Sequence, residues 1–372
     1  MTQADVLINS LGLPEFMYYS KQLNQSVKKM RFSHLLVVVL MLLISSMVVM
    51  TAEAEVSPSM KQATFMPLWT PQAQFAGYYL AYEKGLYAKQ GIDLKILKAG
   101  PGYSPAEAVN SGKADFAVMW LSTALRQRSQ GTEIVNLAQL VQKSSLILVT
   151  KKTTGIAKLE DMHDKKVGLW GGDLSMPIMS LFNKKKIKVK EIQQSYTVNL
   201  FLRGGIDVAS AMWYNEYHTI LSSGLNPEEL NLFFMSKYDM NFPEDGIYAL
   251  KKTIDKDPAL AGAFVKASLE GWNYAFAHPE EAVEITLKYM REAGLPANST
   301  HQKWMLNRMR DLFQPLEGGK FGELNPQSYD FVVNSMKQDK MLIKHADYQQ
   351  FSWKANADKP INSEKQANAE KH

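Results

Sequence analysis

From residue 63 onward, short apolar runs alternate with stretches of helical period. "ATFMPLW" (63–69) reads as a strand, and "TPQAQFAGYYLAYEKGLYAKQG" (70–91) as a helix whose apolar face is Phe75, Tyr79, Tyr82 and Leu86, stopped by Gly91. "IDLKILKAG" (92–100) alternates like a strand. A helix opening on Ser-Pro (104–114), the strand "DFAVMW" (115–120) and a Gly-closed helix (122–131) follow, and 133–152 holds two further strands. The series restarts after Lys152: helix, strand, Gly turn and helix over 159–185, then strand 190–196, helix 199–205, strand 207–213, helix 215–224 and strand 230–240. From about 246 to 350 amphipathic helices dominate, and the polar tail 352–372 is expected to be disordered. Strands alternating with helices in two successive series predict an α/β fold of two lobes. Residues 61–150 with 246–351 are expected to form one lobe and 151–245 the other.

An internal echo sharpens this reading. "SGKADFAVMW" (111–120) and "RGGIDVASAMW" (203–213) share one template: Gly, two residues, Asp, then a small-apolar strand ending in Met-Trp. Ligands of open α/β sheets bind outside the carboxyl ends of the strands. Two lobes built alike would set Trp120 and Trp213 on facing walls of a cleft.

The chemistry at those strand ends is aromatic, amidic and acidic. In "MWYNE", Trp213, Tyr214, Asn215 and Glu216 occupy the turn into the next helix. They suit core covering, helix capping and a favourable first-turn charge. They suit equally an aromatic wall beside a carboxylate that takes two N–H bonds from a flat ring. "PLWTPQAQF" offers a second indole, Trp69, with Gln72 and Gln74 at the first strand-to-helix turn, although Trp69 could also be core. The Gly171-Gly172 turn lets backbone N–H groups approach a ligand, while helix capping by Asp173 or Ser175 explains the same residues. "NFPEDG" (241–246) reads as turn chemistry where the chain crosses between lobes. "KKKIKVK" (184–190) reads as the solvated face of a strand.

Composition narrows the function. Hydrophobic residues make up 46% of 372, enough for more than one lobe, and the net charge is only +5. No long basic stripe carries interleaved aromatics, which argues against a nucleic-acid partner. With no cysteine and seven scattered histidines, no metal centre, thiolate nucleophile or lipid-bearing cysteine is expected. No catalytic motif and no cofactor signature emerges. "LLVVVLMLLISSMVVM" (35–50), after Lys28, Lys29 and Arg31 and before Ala52-Glu53-Ala54, reads as an export signal over 1–54. Met30 would be a natural start. The stretch is slightly short of the roughly 20 apolar residues of a membrane span, and an uncleaved anchor is the alternative.

The stretch from "FMPLWTPQAQFAGYYLAYEKGLYAKQGIDLKI" through "SGKADFAVMW", "KKVGLWGGD" and "AMWYNEYHTI" to "FPEDGIYAL" resembles the thiamine-pyrimidine-precursor-binding (ThiY-like) solute receptors of ABC importers. These are related to the alkanesulfonate and nitrate receptors. The resemblance covers about residues 62–350. It implies a type II periplasmic binding protein fold: two α/β lobes with mixed, mostly parallel sheets, a cleft between them and a helical C-terminal part. It also implies an exported, periplasmic monomer that hands a small heterocycle to an inner-membrane permease. Carried over by motif, aromatic residues would sandwich an aminopyrimidine and a carboxylate would read its amino edge, which points to Trp69, Gln74, Trp120, Tyr214 and Glu216. The Gly171-Gly172 turn would face the substituent. Fungal members are enzymes with a cysteine-rich motif that this chain lacks, so no enzymatic activity is implied. The family's first motif commonly reads "TPNTNH" where this chain has "TPQAQF", so its amide contacts must differ.

Two rival readings share the fold. A sulfonate- or nitrate-type anion receptor would call for Arg, Lys and helix N-termini at the site. A sensory module signalling to a membrane partner would be favoured by an uncleaved segment 35–50.

Overall fold

The computed structural model describes residues 60–316, 319–345 and 347–353, with the isolated positions Leu23, Gln25 and Met30. Those three positions apart, the expected export signal lies outside the described residues, as does the tail from 354 onward. Among the described residues no helix is long and apolar enough to cross a membrane.

The chain runs β1 (Lys61–Met66), α1 (Ala76–Glu83), β2 (Ile92–Ile96), α2 (Pro105–Asn110), β3 (Phe116–Trp120), α3 (Leu121–Ser129) and β4 (Ile134–Gln139). It continues through β5 (Leu146–Lys151), β6 (Lys166–Leu169), α4 (Met176–Lys185), β7 (Lys190–Gln193), β8 (Val208–Met212), α5 (Glu216–Ser222) and β9 (Leu230–Phe234). After β10 (Asp245–Leu250) come the longer helices α6 (Pro258–Ala277), α7 (Pro279–Glu292), α8 (Ser299–Phe313) and α9 (Pro326–Gln338). Helix starts follow local chemistry. Ser104, Asp257, Asn298 and Asn325 each accept a first-turn backbone N–H, and three of these caps precede Pro105, Pro258 and Pro326.

Two mixed five-stranded sheets result, ordered β2-β1-β3-β10-β4 and β7-β6-β8-β5-β9. In each, the first three strands pair in parallel and the other pairings are antiparallel. The echoed strands β3 and β8 hold the same place in the two orders. β3 and β5 are buried along almost their whole length, consistent with sheets covered on both faces. The chain crosses between lobes at 140–145 and 241–244. The strand that follows each crossing, β5 or β10, begins beside the carboxyl end of β8 or β3 and so runs antiparallel to it. Leu146–Lys151 thus belongs to the second sheet, ahead of the expected boundary at 151.

Two other expectations shift. The lysine run 184–190 is the end of α4, a left-handed Lys186 and a connection, with only Lys190 in a strand. Lysines complement the negative end of a helix, and buried Ile187 anchors the turn. Ser352 and Trp353, the first residues of the expected tail, are held in place: Ser352 bridges to Asn136 and the Trp353 N–H donates to the Asn136 carbonyl.

Packing fixes the strand-end turns of the first lobe. Phe264 of α6 stacks on Phe116 at 4.2 Å and meets Phe65 at 5.3 Å. A Cβ on Gly271 of α6 would lie 2.3 Å from the Gly77 carbonyl of α1, and one on Gly77 would strike the Trp272 ring. Only glycine permits this backbone approach. It clamps α1, and with it the turn carrying Gln72 and Gln74.

Candidate functional site

The first lobe's wall is built from the turn after β1, the end of β3 and the start of β10. Asp245 pairs in register with Trp120 across the β3–β10 ladder. The Gln74 amide donates to Asp245 Oδ2 at 2.7 Å, and the Gln72 amide donates to Gln74 Oε1 at 2.6 Å. All four side chains are buried. α8 braces the turn from behind: Gln302 Oε1 accepts the Ala73 N–H at 2.7 Å, and Met305 sulfur lies 3.2 Å from the Gln74 nitrogen.

The second lobe's wall is the "MWYNE" turn. Glu216, the first residue of α5, folds back over the strand end. Its Oε2 accepts the Met212 N–H at 2.9 Å and its Oε1 accepts the Asn215 amide at 2.9 Å. Asn215 makes no side-chain cap; its oxygen, the atom a cap would need, is taken by His301 Nε2. Tyr214 is buried, and its hydroxyl feels the charges of Asp245, Glu244 and Glu216. Burial is the main reason its phenol resists ionisation, and three carboxyls, one from each lobe and one from a crossing, add to the effect.

Burial dominates their electrostatics. It pushes Glu216 up to about 7 against the Met212 N–H, its own N–H and the Asn215 amide; the side chain keeps partial surface exposure but is ringed closely by protein. Burial likewise lifts Asp245 to about 7, opposed by Gln74 and the nearby Trp120 side chain. Glu244 rises to about 8 by burial, with Asp245 adding repulsion and Ser145 opposing. Among the described residues no Lys or Arg forms an ion pair with any of the three. The site can accept hydrogen bonds from a donor-rich ring, and it is poorly suited to an anion. No His/Asp/Glu cluster among the described residues could hold a metal ion.

Glu244 sits in the second crossing and binds the first. Its oxygens accept the Ser145 N–H at 2.6 Å, the Ser145 hydroxyl at 2.7 Å and the Ser144 hydroxyl at 3.1 Å.

Further contacts link the lobes. Trp69 meets Tyr196 of the second lobe, ring centroids 4.8 Å apart. Asp173 does not cap a helix; it forms an ion pair with Arg126 of α3 at 2.9 Å. Gly172, at φ +69°, supplies the left-handed turn before it, and Ser175 donates to the Gly172 carbonyl. His301 of α8 reaches Asn215 Oδ1 through Nε2 at 2.9 Å, and its Nδ1 lies 2.9 Å from His218 Nδ1. A carbonyl oxygen only accepts, so His301 carries its proton on Nε2 and His218 donates to the bare Nδ1. Burial, then His218, pushes His301 down to about 4.

The expected residues thus divide. Gln74, Trp120, Tyr214, Asn215 and Glu216 gather around the carboxyls, Trp69 stands at the contact with Tyr196, and Gly171-Gly172 lead into the Arg126–Asp173 pair. Trp213 turns elsewhere, edge-on to Phe234 at 5.7 Å and under the Arg308 guanidinium at 4.7 Å; its carbonyl accepts the Trp304 indole N–H. No ring contact joins Trp120 and Trp213 among the described residues. Asp245 and Glu244 were read as turn residues, yet both are buried. The apolar "GIYAL" directly after them was the available signal. His301, Trp304 and Arg126 carried none, since their partners are distant in sequence.

Comparison with known proteins places this geometry. The family model described as NMT1/THI5 like matches residues 72–282. Similar proteins include the riboflavin-binding protein RibY of Chloroflexus aurantiacus, 26% identical over 64% of this chain and 69% of that one. The formylaminopyrimidine-binding protein of Halalkalibacterium halodurans is 19% identical over 72% of this chain and 82% of its own. Among solved structures, the periplasmic aliphatic sulphonate binding protein SsuA from Escherichia coli superposes with a TM-score of 0.62 at 16% identity, covering 80% of this chain and 92% of that one. The fold is that of the periplasmic binding proteins: two α/β lobes, a cleft and a helical C-terminal part.

Proposed function

Because the chain belongs to the NMT1/THI5-like family, matched over residues 72–282, we propose that it is the substrate receptor of an ABC importer for a small, flat nitrogen heterocycle, an aminopyrimidine thiamine precursor foremost. The observation that carries this reading is an acidic group at the strand-end turn of each lobe, Glu216 on the Met212 N–H and the Asn215 amide and Asp245 on the Gln74 amide, with no ion-paired Lys or Arg at either among the described residues. Tyr214 and Trp69 supply aromatic faces, Trp120 backs the wall, and Gln74 and Asn215 hold the carboxyls. Glu216 takes the ring's N–H edge, and the Gly171-Gly172 backbone receives the substituent. Trp213 acts indirectly, by fixing the turn. Closure excludes water and strengthens the carboxylate bond. The protein acts in the periplasm as a monomer, delivers its ligand to an inner-membrane permease, and turns nothing over. The relatives' names include a riboflavin-binding and a formylaminopyrimidine-binding protein, both receptors for flat heterocycles. A sulfonate or nitrate receptor would need cations where this site has carboxyls.

Native mass spectrometry of the gently purified mature chain tests the reading. A retained aminopyrimidine mass that is lost in Glu216→Gln is the expected result. Replacing the charged acceptor should cost about 1.5–3 kcal/mol of affinity. A retained sulfonate, or undiminished binding by the variant, would overturn it.

A further inference from the structure

Asp245 has an oxygen to spare. Its side chain is 4% exposed, Oδ2 takes the Gln74 amide at 2.7 Å, and Oδ1 is buried with no hydrogen-bond partner. Leaving a buried acceptor unmade is costly, and more so for a charged group. Such an atom in a folded chain calls for a partner that arrives later. Its neighbours do not serve. The Trp120 side chain, in register on the ladder, lies near enough to oppose the rise of Asp245 but makes no well-formed hydrogen bond to Oδ1; Tyr78 of α1 has a hydroxyl that is likewise unpartnered, and the Glu244 oxygens are engaged by Ser144 and Ser145. From the second lobe, Tyr214, the aromatic residue two positions before Glu216, is close enough to respond to its charge.

Resting on the heterocycle-receptor reading of the same site, we infer that Asp245 is a second ligand-reading acceptor, on the opposite lobe from Glu216, so that the cleft selects a ring donating hydrogen bonds from two edges. Gln72 and Gln74 then have a defined duty. Their relay of amides holds Oδ2 and leaves Oδ1 as the free face. A ligand with one donor edge satisfies Glu216 and leaves Asp245 Oδ1 bare. One that donates at both ends ties the lobes together through itself, so the same contacts that discriminate also favour the closed form.

The experiment measures affinities of wild type, Glu216→Gln and Asp245→Asn by calorimetry. The heterocycle probes are 4-amino-5-aminomethyl-2-methylpyrimidine, which donates from two positions, and riboflavin, which donates from its ring N–H and its ribityl hydroxyls; the anion probes are methanesulfonate and nitrate. Wild type binding a heterocycle, with each variant weakened about tenfold or more, is expected, the magnitude being that of one charged hydrogen bond. Asp245→Asn keeps an oxygen for Gln74 and turns its other atom into a donor, so a melting temperature at pH 8 no lower than wild type separates lost recognition from lost folding. Asp245→Ser, which removes the carboxyl but keeps a hydroxyl, serves if the amide variant misfolds. Weakening by Glu216→Gln alone would overturn the role of Asp245 and leave the receptor reading standing. Binding of the anions but neither heterocycle would overturn both.

Discussion

Replacing Glu216 by Gln should stabilise the unliganded protein at alkaline pH while impairing binding. Glu216 titrates near 4.5 when unfolded and at about 7 when folded, mainly because burial opposes its charge. The folded state therefore holds its proton more tightly, and stability falls as pH rises from about 4.5 to 7, then levels off. The interval is about two and a half pH units at about 1.4 kcal/mol each, so the ionised carboxyl costs the folded state about 3 kcal/mol by pH 8. This is a ceiling, because the side chain keeps some exposure. The variant has no charge to bury. Its amide must face one of the two donors, Met212 N–H or the Asn215 amide, but that offset is independent of pH and the protonated acid shares part of it. The test is denaturant unfolding of ligand-free wild type and variant from pH 4 to 8.5. The stability difference, variant minus wild type, should rise through the window and flatten above about 7.5. In thermal melts the high-pH gain should be roughly 5 °C or more. A difference that stays flat, or that is largest at pH 4, would refute the burial of an ionisable Glu216.

Three further outcomes follow from other contacts. Tyr214→Phe should bind the heterocycle nearly as wild type does, and Tyr214→Ala should lose about tenfold or more with the stacking face; equal losses in both would shift the role to the hydroxyl. Asp173→Asn removes one end of the Arg126 ion pair, whose arginine side chain is 40% exposed, so solvent screening limits the loss to about 1 kcal/mol. Unfolding of the wild type in rising salt should approach the variant's stability, and a salt-independent gap would exclude the ion pair as the cause. His301 falls from 6.5 to about 4 on folding. Its contribution is full above pH 6.5 and disappears as pH drops through 4. A histidine proton resonance with a midpoint near 4, absent from His301→Phe, checks this.

How much the chain disclosed of itself depended on the range of each interaction. Period and turn residues are local, so β3 and β8 could be read as equivalent from "ADFAVMW" and "DVASAMW", and the α/β class followed. The strand order could not be read, because a crossing that enters at a strand's carboxyl end leaves no local mark. The same gap hid Asp245. "NFPEDG" is rich in turn formers, and only the ladder with Trp120 makes its aspartate a strand residue. Trp213 shows the reverse. Its place in the repeat matched Trp120, but Arg308 on a helix some ninety residues onward drew its ring away. Helix α8 was legible as amphipathic, though nothing local distinguished Gln302, which braces one lobe, from His301, which touches the other.

Glu244 gives the hinge a mechanical character. Were the crossings at 140–145 and 241–244 two separate cords, each could twist about its own bonds, and the lobes could swivel and shear as well as close. The carboxyl of one cord gripping the hydroxyls and amide of the other splices them into a single flexure. A torsion in either is passed to its neighbour, and the motions left to the pair are the bends they make together. Opening and closing is itself such a bend, so the splice leaves that motion free while stiffening the others.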